Sequence, residues 1–243
     1  MLNKLRSQLF NRRIIQYHYF NIYHKFFCKK NPKDLFDNGY IKLEKKFPIQ
    51  NIDLNKYLNY ENYEFVVDGK KIDIIDLKKI YGILNNIGVI SIIKSYLGNK
   101  IYCYDNSIKT LGNQECSDSS WQPHHDSKGR RIKVYIWLDE KNLNTHPLYY
   151  LKKTHKNIIN WKKYEDTRFP EFDLNKFDKI YGEKGSIIIF DTHGIHSHFK
   201  KTTVPRSVIE LTFEPFGIFN RLNKKNINKE ISRLNLIELN QLI

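Results

Sequence analysis

The stretch Gly185-Ser-Ile-Ile-Ile-Phe190-Asp191-Thr-His193-Gly-Ile-His196-Ser-His198 decides how this chain of 243 residues reads. It opens on β-branched and aromatic residues without polar alternation, which predicts a strand covered on both faces. A turn follows around His193-Gly194, and a new strand starts at Ile195 and runs to Phe199. Residues i and i+2 of an extended segment share a face, so His196 and His198 point the same way and spacing alone does not choose between them. His193, in the turn, reads as a wall residue.

Around that stretch lie more short runs of the same texture. Ile101 to Tyr104, Ile132 to Leu138, Leu148 to Leu151 and Ser207 to Phe213 read as strands. Gly112-Asn113, Lys128-Gly129 and Glu183-Lys184-Gly185 supply turns between several of them. Thr154 to Trp161 reads as a helical interruption. Nearer the N-terminus, Asn38-Gly39 turns into a strand-like Tyr40 to Leu43. From Ile72 to Tyr96, apolar Ile75, Leu77, Ile80, Leu84, Ile87, Ile90 and Ile93 recur mostly at steps of three and four, which predicts a helix broken near Gly88. From Asn220 onward, Ile227, Ile231, Leu234 and Ile237 predict an amphipathic helical tail. Helices followed by a strand-rich half indicate an α+β fold with a small jelly-roll barrel. No repeat or Gly/Ser-rich linker divides the chain. It reads as one domain over 1–243, with helical support in 1–99, the jelly-roll core in 100–215 and a helical tail in 216–243.

The residues with metal chemistry are His124-His125-Asp126, and then a His of the later strand. His124 and Asp126 share one face of an extended segment and reach one metal ion together, while His125 points away. Two imidazoles and one carboxylate on one side of an Fe(II) leave its other positions open for cosubstrate and dioxygen. Arg206 follows Pro205 and opens the next strand, where a guanidinium at the mouth of a barrel binds a carboxylate through two parallel hydrogen bonds. Each feature alone is weak in a chain with nine His, where surface and satisfied core histidines are commoner than ligands. Strand context on both sides and the Arg that follows shift the balance toward an oxygenase.

Composition narrows the classes further. Three cysteines, Cys28, Cys103 and Cys116, form neither a C-x-x-C motif nor an even-numbered framework, which suits a reducing, cytoplasmic setting. The most apolar run, Gly82 to Gly98, is broken by Asn85, Asn86 and Lys94 and is no membrane span. A net charge of +15 invites a nucleic-acid hypothesis. The chain has no alanine and is crowded with Lys, Asn, Ile and Tyr, so Lys is partly a default surface residue and no specific nucleic acid is expected. One asymmetry stands out: no acidic residue precedes Asp34. That basic, aromatic-rich segment reads as an amphipathic helix packed on the domain; an organellar presequence or weak membrane-surface contact is the alternative.

At these residues the chain resembles the phytanoyl-CoA dioxygenase-like branch of the Fe(II)/2-oxoglutarate-dependent oxygenases. The matching text is Gln122-Pro-His-His-Asp126, Lys133-Val-Tyr-Ile-Trp-Leu-Asp139, Pro147-Leu-Tyr-Tyr-Leu151, Thr154-His155-Lys156 and Gly185 to His196, closing at Arg206. The resemblance covers the C-terminal half firmly and the N-terminal half in outline. It implies a double-stranded β-helix, a cupin-like barrel flanked by N- and C-terminal helices. It makes His124, Asp126 and His196 the iron ligands, preferring His196 to His198. It assigns Arg206 to the distal carboxylate of 2-oxoglutarate, and Lys133, on a barrel strand, is a weaker candidate for cosubstrate contact. The intact Asp126 sets the chain apart from the related halogenases. Lys153-Thr154 before His155, and His146 before Pro147, depart from the pattern and reshape the pocket rather than the ligand set. The function implied is hydroxylation of an unactivated C–H of a small-molecule or carrier-linked substrate, with O2 consumed and succinate and CO2 formed. Two alternatives compete: a cupin-like metal-dependent isomerase or lyase that does without 2-oxoglutarate, and a non-catalytic binding protein on the same scaffold.

Overall fold

The computed structural model describes residues 32–58, 70–99, 101–111, 122–126, 131–140, 147–156, 173–198 and 206–215. In chain order these form α1 (Lys33–Asn38), β1 (Tyr40–Leu43), β2 (Lys70–Lys71), α2 (Ile74–Asn86), α3 (Val89–Leu97), β3 (Ile101–Leu111) and β4 (Ile132–Trp137), then β5 (Leu148–Tyr150), β6 (Asp178–Ile180), β7 (Ile187–Asp191), β8 (His196–Ser197) and β9 (Arg206–Pro215). The basic N-terminal segment, the C-terminal tail and Asn157 to Trp161 lie outside the described residues. Thr154–Lys156 forms a single 3-10 turn.

The unbroken apolar run Ile187 to Phe190 is buried on both faces, as its lack of alternation requires. It lies second from the edge of a six-stranded sheet of order β1-β7-β4-β9-β3-β2, and every pairing in it is antiparallel. A three-stranded antiparallel sheet, β6-β5-β8, is the second layer. Strand periodicity sorts the side chains of the large sheet between two cores. Ile132, Val134, Ile187, Ile189, Ile209 and Leu211 join Leu77, Ile80, Leu84, Ile90 and Ile93 of the helices. Tyr135, Trp137, Ile188, Phe190 and Val208, on the opposite face, meet Leu148, Tyr150 and Ile180 of the small sheet. The molecule is thus an α+β arrangement of helices, a large antiparallel sheet and a smaller antiparallel sheet.

The helical layer follows from local signals. Asp73 caps α2 by accepting the backbone N–H of Asp76 at 2.9 Å. Gly88 adopts φ 89°, a left-handed conformation that costs an L side chain strain, and breaks the run into α2 and α3. No single described helix is long and apolar enough to cross a membrane. The two helices pass that test only together, across an 83° bend, and their apolar faces are spent on the core. One residue of the apolar series lies off the core. Ile75 is 64% exposed, because two helical steps separate it from Leu77 by about 200° and turn it away from the buried arc.

Candidate metal centre

His124 and His196 come from segments far apart in the chain, yet their backbones face each other as a hydrogen-bonded antiparallel pair. The His124 N–H donates to the His196 carbonyl at 2.9 Å, and the His196 N–H to the His124 carbonyl at 2.8 Å. On its other side β8 is paired with β5, with His196 opposite Tyr150. Paired residues of antiparallel strands project to the same face, so the two rings stand with centroids 4.4 Å apart. Asp126 joins them because its backbone N–H donates to the Thr192 carbonyl at 2.8 Å. Ligand atoms of His124, Asp126 and His196 then lie within 4.8 Å of one another.

Each imidazole is held in one tautomer. His124 Nδ1 lies 2.7 Å from the Gln122 carbonyl and His196 Nδ1 lies 2.9 Å from the Gly194 carbonyl. A carbonyl only accepts, so Nδ1 carries the proton in both rings and Nε2 keeps the lone pair that a metal ion would take. Burial, and then the neighbouring His124, pull His196 down to about 3, which keeps it neutral near neutral pH. Burial works against the charge of Asp126, but Lys133, His196 and Arg131 outweigh it and hold the carboxyl well below the usual range. Asp126 Oδ2 is buried without a hydrogen-bond partner. A buried carboxylate oxygen that makes no hydrogen bond, with the Lys133 ammonium 3.5 Å away, grouped with two imidazoles, fits a divalent metal ion of the iron or zinc type.

The turn that carries His196 is braced from behind. Asp191 accepts the Tyr96 hydroxyl at 2.6 Å and the His193 backbone N–H at 2.8 Å. The Tyr150 hydroxyl donates to the Asp191 carbonyl at 2.8 Å. His193 is buried with its ring against His125, centroids 5.5 Å apart, so these two form a neighbouring pair outside the three-residue group.

Arg206 opens β9 with its side chain fully buried, 0% exposed, on the face shared with the small sheet. Its Nη2 donates to His198 Nδ1 at 3.1 Å, which leaves the His198 proton on Nε2, 3.2 Å from the Tyr135 hydroxyl. Trp137 flanks the guanidinium, 5.8 Å from ring centroid to Cζ. Burial lowers Arg206 to about 10, still charged at neutral pH, with Tyr135 and Asp139 opposing the fall. His198 is thereby placed beside Arg206, and the histidine facing His124 and Asp126 is His196.

Lys133 is largely buried and bridges two carboxylates, 3.5 Å from Asp126 Oδ2 and 3.7 Å from Glu210 Oε1. Glu210 also accepts from Lys109 at 2.9 Å. Glu210, Tyr96, Asp191 and Tyr150 did not emerge from sequence reasoning. For Glu210 there was a usable signal: an acidic residue at the centre of the apolar strand Ser207 to Phe213 must be paired if that strand is buried.

No family model matches this sequence, and no curated protein matches it. Among solved structures the chain is similar to EvdMO1, at 13% identity and a TM-score of 0.51, over 76% of this chain and 49% of that one; it spans about half the length of EvdMO1. It is similar to EvdO2 from Micromonospora carbonacea var. aurantiaca at 15% identity and TM-score 0.51, over 76% of this chain and 91% of that one. EvdO2 has also been solved complexed with 2-oxoglutarate. A third is the epimerase SnoN, in complex with Fe3+, alpha ketoglutarate and nogalamycin RO, at 10% identity and TM-score 0.51, over 77% of this chain and 83% of that one. At such identities the likeness shows the fold, which this chain shares with the non-heme alpha ketoglutarate dependent epimerase SnoN and with EvdO2.

Proposed function

We propose that this chain is an Fe(II)/2-oxoglutarate-dependent oxygenase that hydroxylates an unactivated C–H of a small-molecule or carrier-linked substrate. The observation that carries the reading is the convergence of His124, Asp126 and His196 within 4.8 Å, with a fully buried Arg206 on the inner face of the large sheet. His124 Nε2, His196 Nε2 and the Asp126 carboxylate would hold the metal. Arg206 would take the distal carboxylate of the cosubstrate, kept in place by His198 and Trp137. Lys133 adds a second positive charge on the same inner face. When bound, the iron would let dioxygen act as the oxidant, two of its four electrons coming from 2-oxoglutarate, which leaves as succinate and CO2, and two from the substrate C–H that is hydroxylated. The chain's own residues orient and shield. Neutral His196 is ready to ligate, and Phe190, packed edge-on with its centroid 5.4 Å from the His196 ring, keeps water from that side.

Two sheets facing each other across Tyr135, Phe190 and Tyr150 support reading the core as a double-stranded β-helix within one catalytic unit. The order of His124, Asp126, His196 and Arg206 supports the phytanoyl-CoA dioxygenase-like branch within that class.

Anaerobic Fe(II) loading followed by 2-oxoglutarate tests the proposal. The expected result is a visible metal-to-ligand charge-transfer band, absent in His196→Ala. In Arg206→Ala the band requires about 10- to 100-fold more 2-oxoglutarate, the loss expected for a charge-assisted hydrogen-bonded anchor. No band from folded, iron-loaded wild type would remove 2-oxoglutarate from the reading and favour a metal-dependent isomerase or lyase.

A further inference from the structure

Resting on the metal site proposed above, we propose that Lys133 is an exchangeable counterion. It occupies Asp126 while the site is empty and retreats to Glu210 when a divalent cation arrives. The geometry is a three-point charge switch. The Lys133 ammonium stands between two carboxylates at nearly equal distance, 3.5 Å from Asp126 and 3.7 Å from Glu210, and neither is as short as a charge-assisted hydrogen bond. It is therefore shared between them and committed to neither. Register explains why. Lys133 and Tyr135 are alternate residues of β4 on the inner face, and Glu210 is the β9 partner of Tyr135, so Glu210 sits one step along the strand from the ammonium.

Both carboxylates are buried enough to need a partner. Glu210 is 4% exposed, and the side chains of Lys133 and Asp126 are 16% and 19% exposed. An ion of charge +2 seated on Asp126 replaces the ammonium as its counterion and repels it across a few ångströms of low-dielectric space. Glu210 gives the ammonium a destination that needs only side-chain rotation. Lys109, at 2.9 Å from Glu210, sets how strongly that destination attracts. The exchange keeps Asp126 ionised, aimed and solvent-shielded before the metal binds, without burying an uncompensated charge at either stage.

The test is equilibrium Mn2+ binding to the metal-free full chain, read as loss of the free-ion electron paramagnetic resonance signal without any cosubstrate. Lys133→Met removes the competitor and is expected to tighten Mn2+ about tenfold. Glu210→Gln leaves the ammonium no second anion and is expected to weaken Mn2+ about tenfold. The decisive arm is the double variant. With Lys133 replaced, Glu210→Gln loses most of its effect, because Glu210 acts through the ammonium. Equal effects of Glu210→Gln in both backgrounds would mean a plain through-space field and would overturn the exchange. Lys109→Met leaves the centre of the cluster intact and supplies a readout if the double variant does not fold. Freeing Glu210 draws Lys133 off Asp126 and tightens Mn2+ several-fold, and an unchanged affinity overturns the proposal. Wild type that binds no more Mn2+ than His196→Ala would refute the metal site itself, whereas wild-type binding with unresponsive variants would refute only the exchange.

Discussion

Gly194 lies where Tyr150 leaves no room for a side chain: a Cβ there would overlap the Tyr150 hydroxyl and ring. That hydroxyl also donates to the Asp191 carbonyl, and the Gly194 carbonyl accepts from His196 Nδ1. One residue thus links the packing of the small sheet to the orientation of the His196 ring. Gly194→Ala is expected to destabilise the metal-free protein by about 1–3 kcal/mol through overpacking, measured by denaturant unfolding. It should also weaken divalent-metal binding, because the displaced carbonyl no longer orients the imidazole. A second residue-scale outcome concerns His198, whose Nδ1 accepts from Arg206. His198→Leu removes that acceptor inside the site. Under the proposed function, a succinate-release assay should show KM for 2-oxoglutarate raised several-fold with kcat little changed, because the loss falls on anchoring.

At the scale of elements, α2 and α3 are held by a narrow apolar arc. Leu84 is fully buried in the core that backs the large sheet. Leu84→Ala is expected to cost about 2–5 kcal/mol, whereas Ile75→Lys on the exposed side should stay within about 0.5 kcal/mol of wild type. Thermal and denaturant melts of the two variants check the pair. The contrast also marks how far sequence reasoning reached. The helix, its break at Gly88 and the strands around Ile132, Leu148, Ile187 and Ser207 were legible because periodicity and glycine are local signals. Ile75, grouped with the others by residue type, stands two helical steps from Leu77 and lies off the buried arc. At the site, His124, Asp126 and His196 were legible as ligand-type residues at strand spacing, but residue spacing left His196 and His198 equivalent. The bridge from His124 to His196, and the Arg206 to His198 contact that separates the two, are pairings distant in sequence. The bracing of the turn by Tyr96 and Tyr150 is of the same kind and carries no sequence signature.

Among the described residues the buried histidines, Asp126 and Glu210 push stability in one direction with pH, and Asp139, whose carboxyl is raised by burial, opposes them. His125, His196 and His198 are all lowered, burial first in each case. Asp126 and Glu210 are also lowered, because Lys133 and its neighbours outweigh their burial. A depressed native pKa means that the unfolded chain binds more protons than the native one below the unfolded value. For the histidines the contribution is complete above about pH 6.5 and drains away as pH falls toward the native value, about 3 for His196. The carboxylates add to the loss below about pH 4.5. Lys133 is raised, so its contribution is intact throughout this range and would be lost only in strong alkali. Metal-free protein should therefore show a flat unfolding free energy near pH 7–8 and a fall beginning below about pH 6.5. The slope should be on the order of 1.4 kcal/mol per pH unit for each net proton taken up. His198→Leu should make the fall shallower between about pH 6.5 and 4.5, since one depressed histidine is gone. Urea unfolding of wild type and His198→Leu across pH 4–8 measures both, and a wild-type profile flat down to pH 4 would contradict the buried, neutral state of these three histidines.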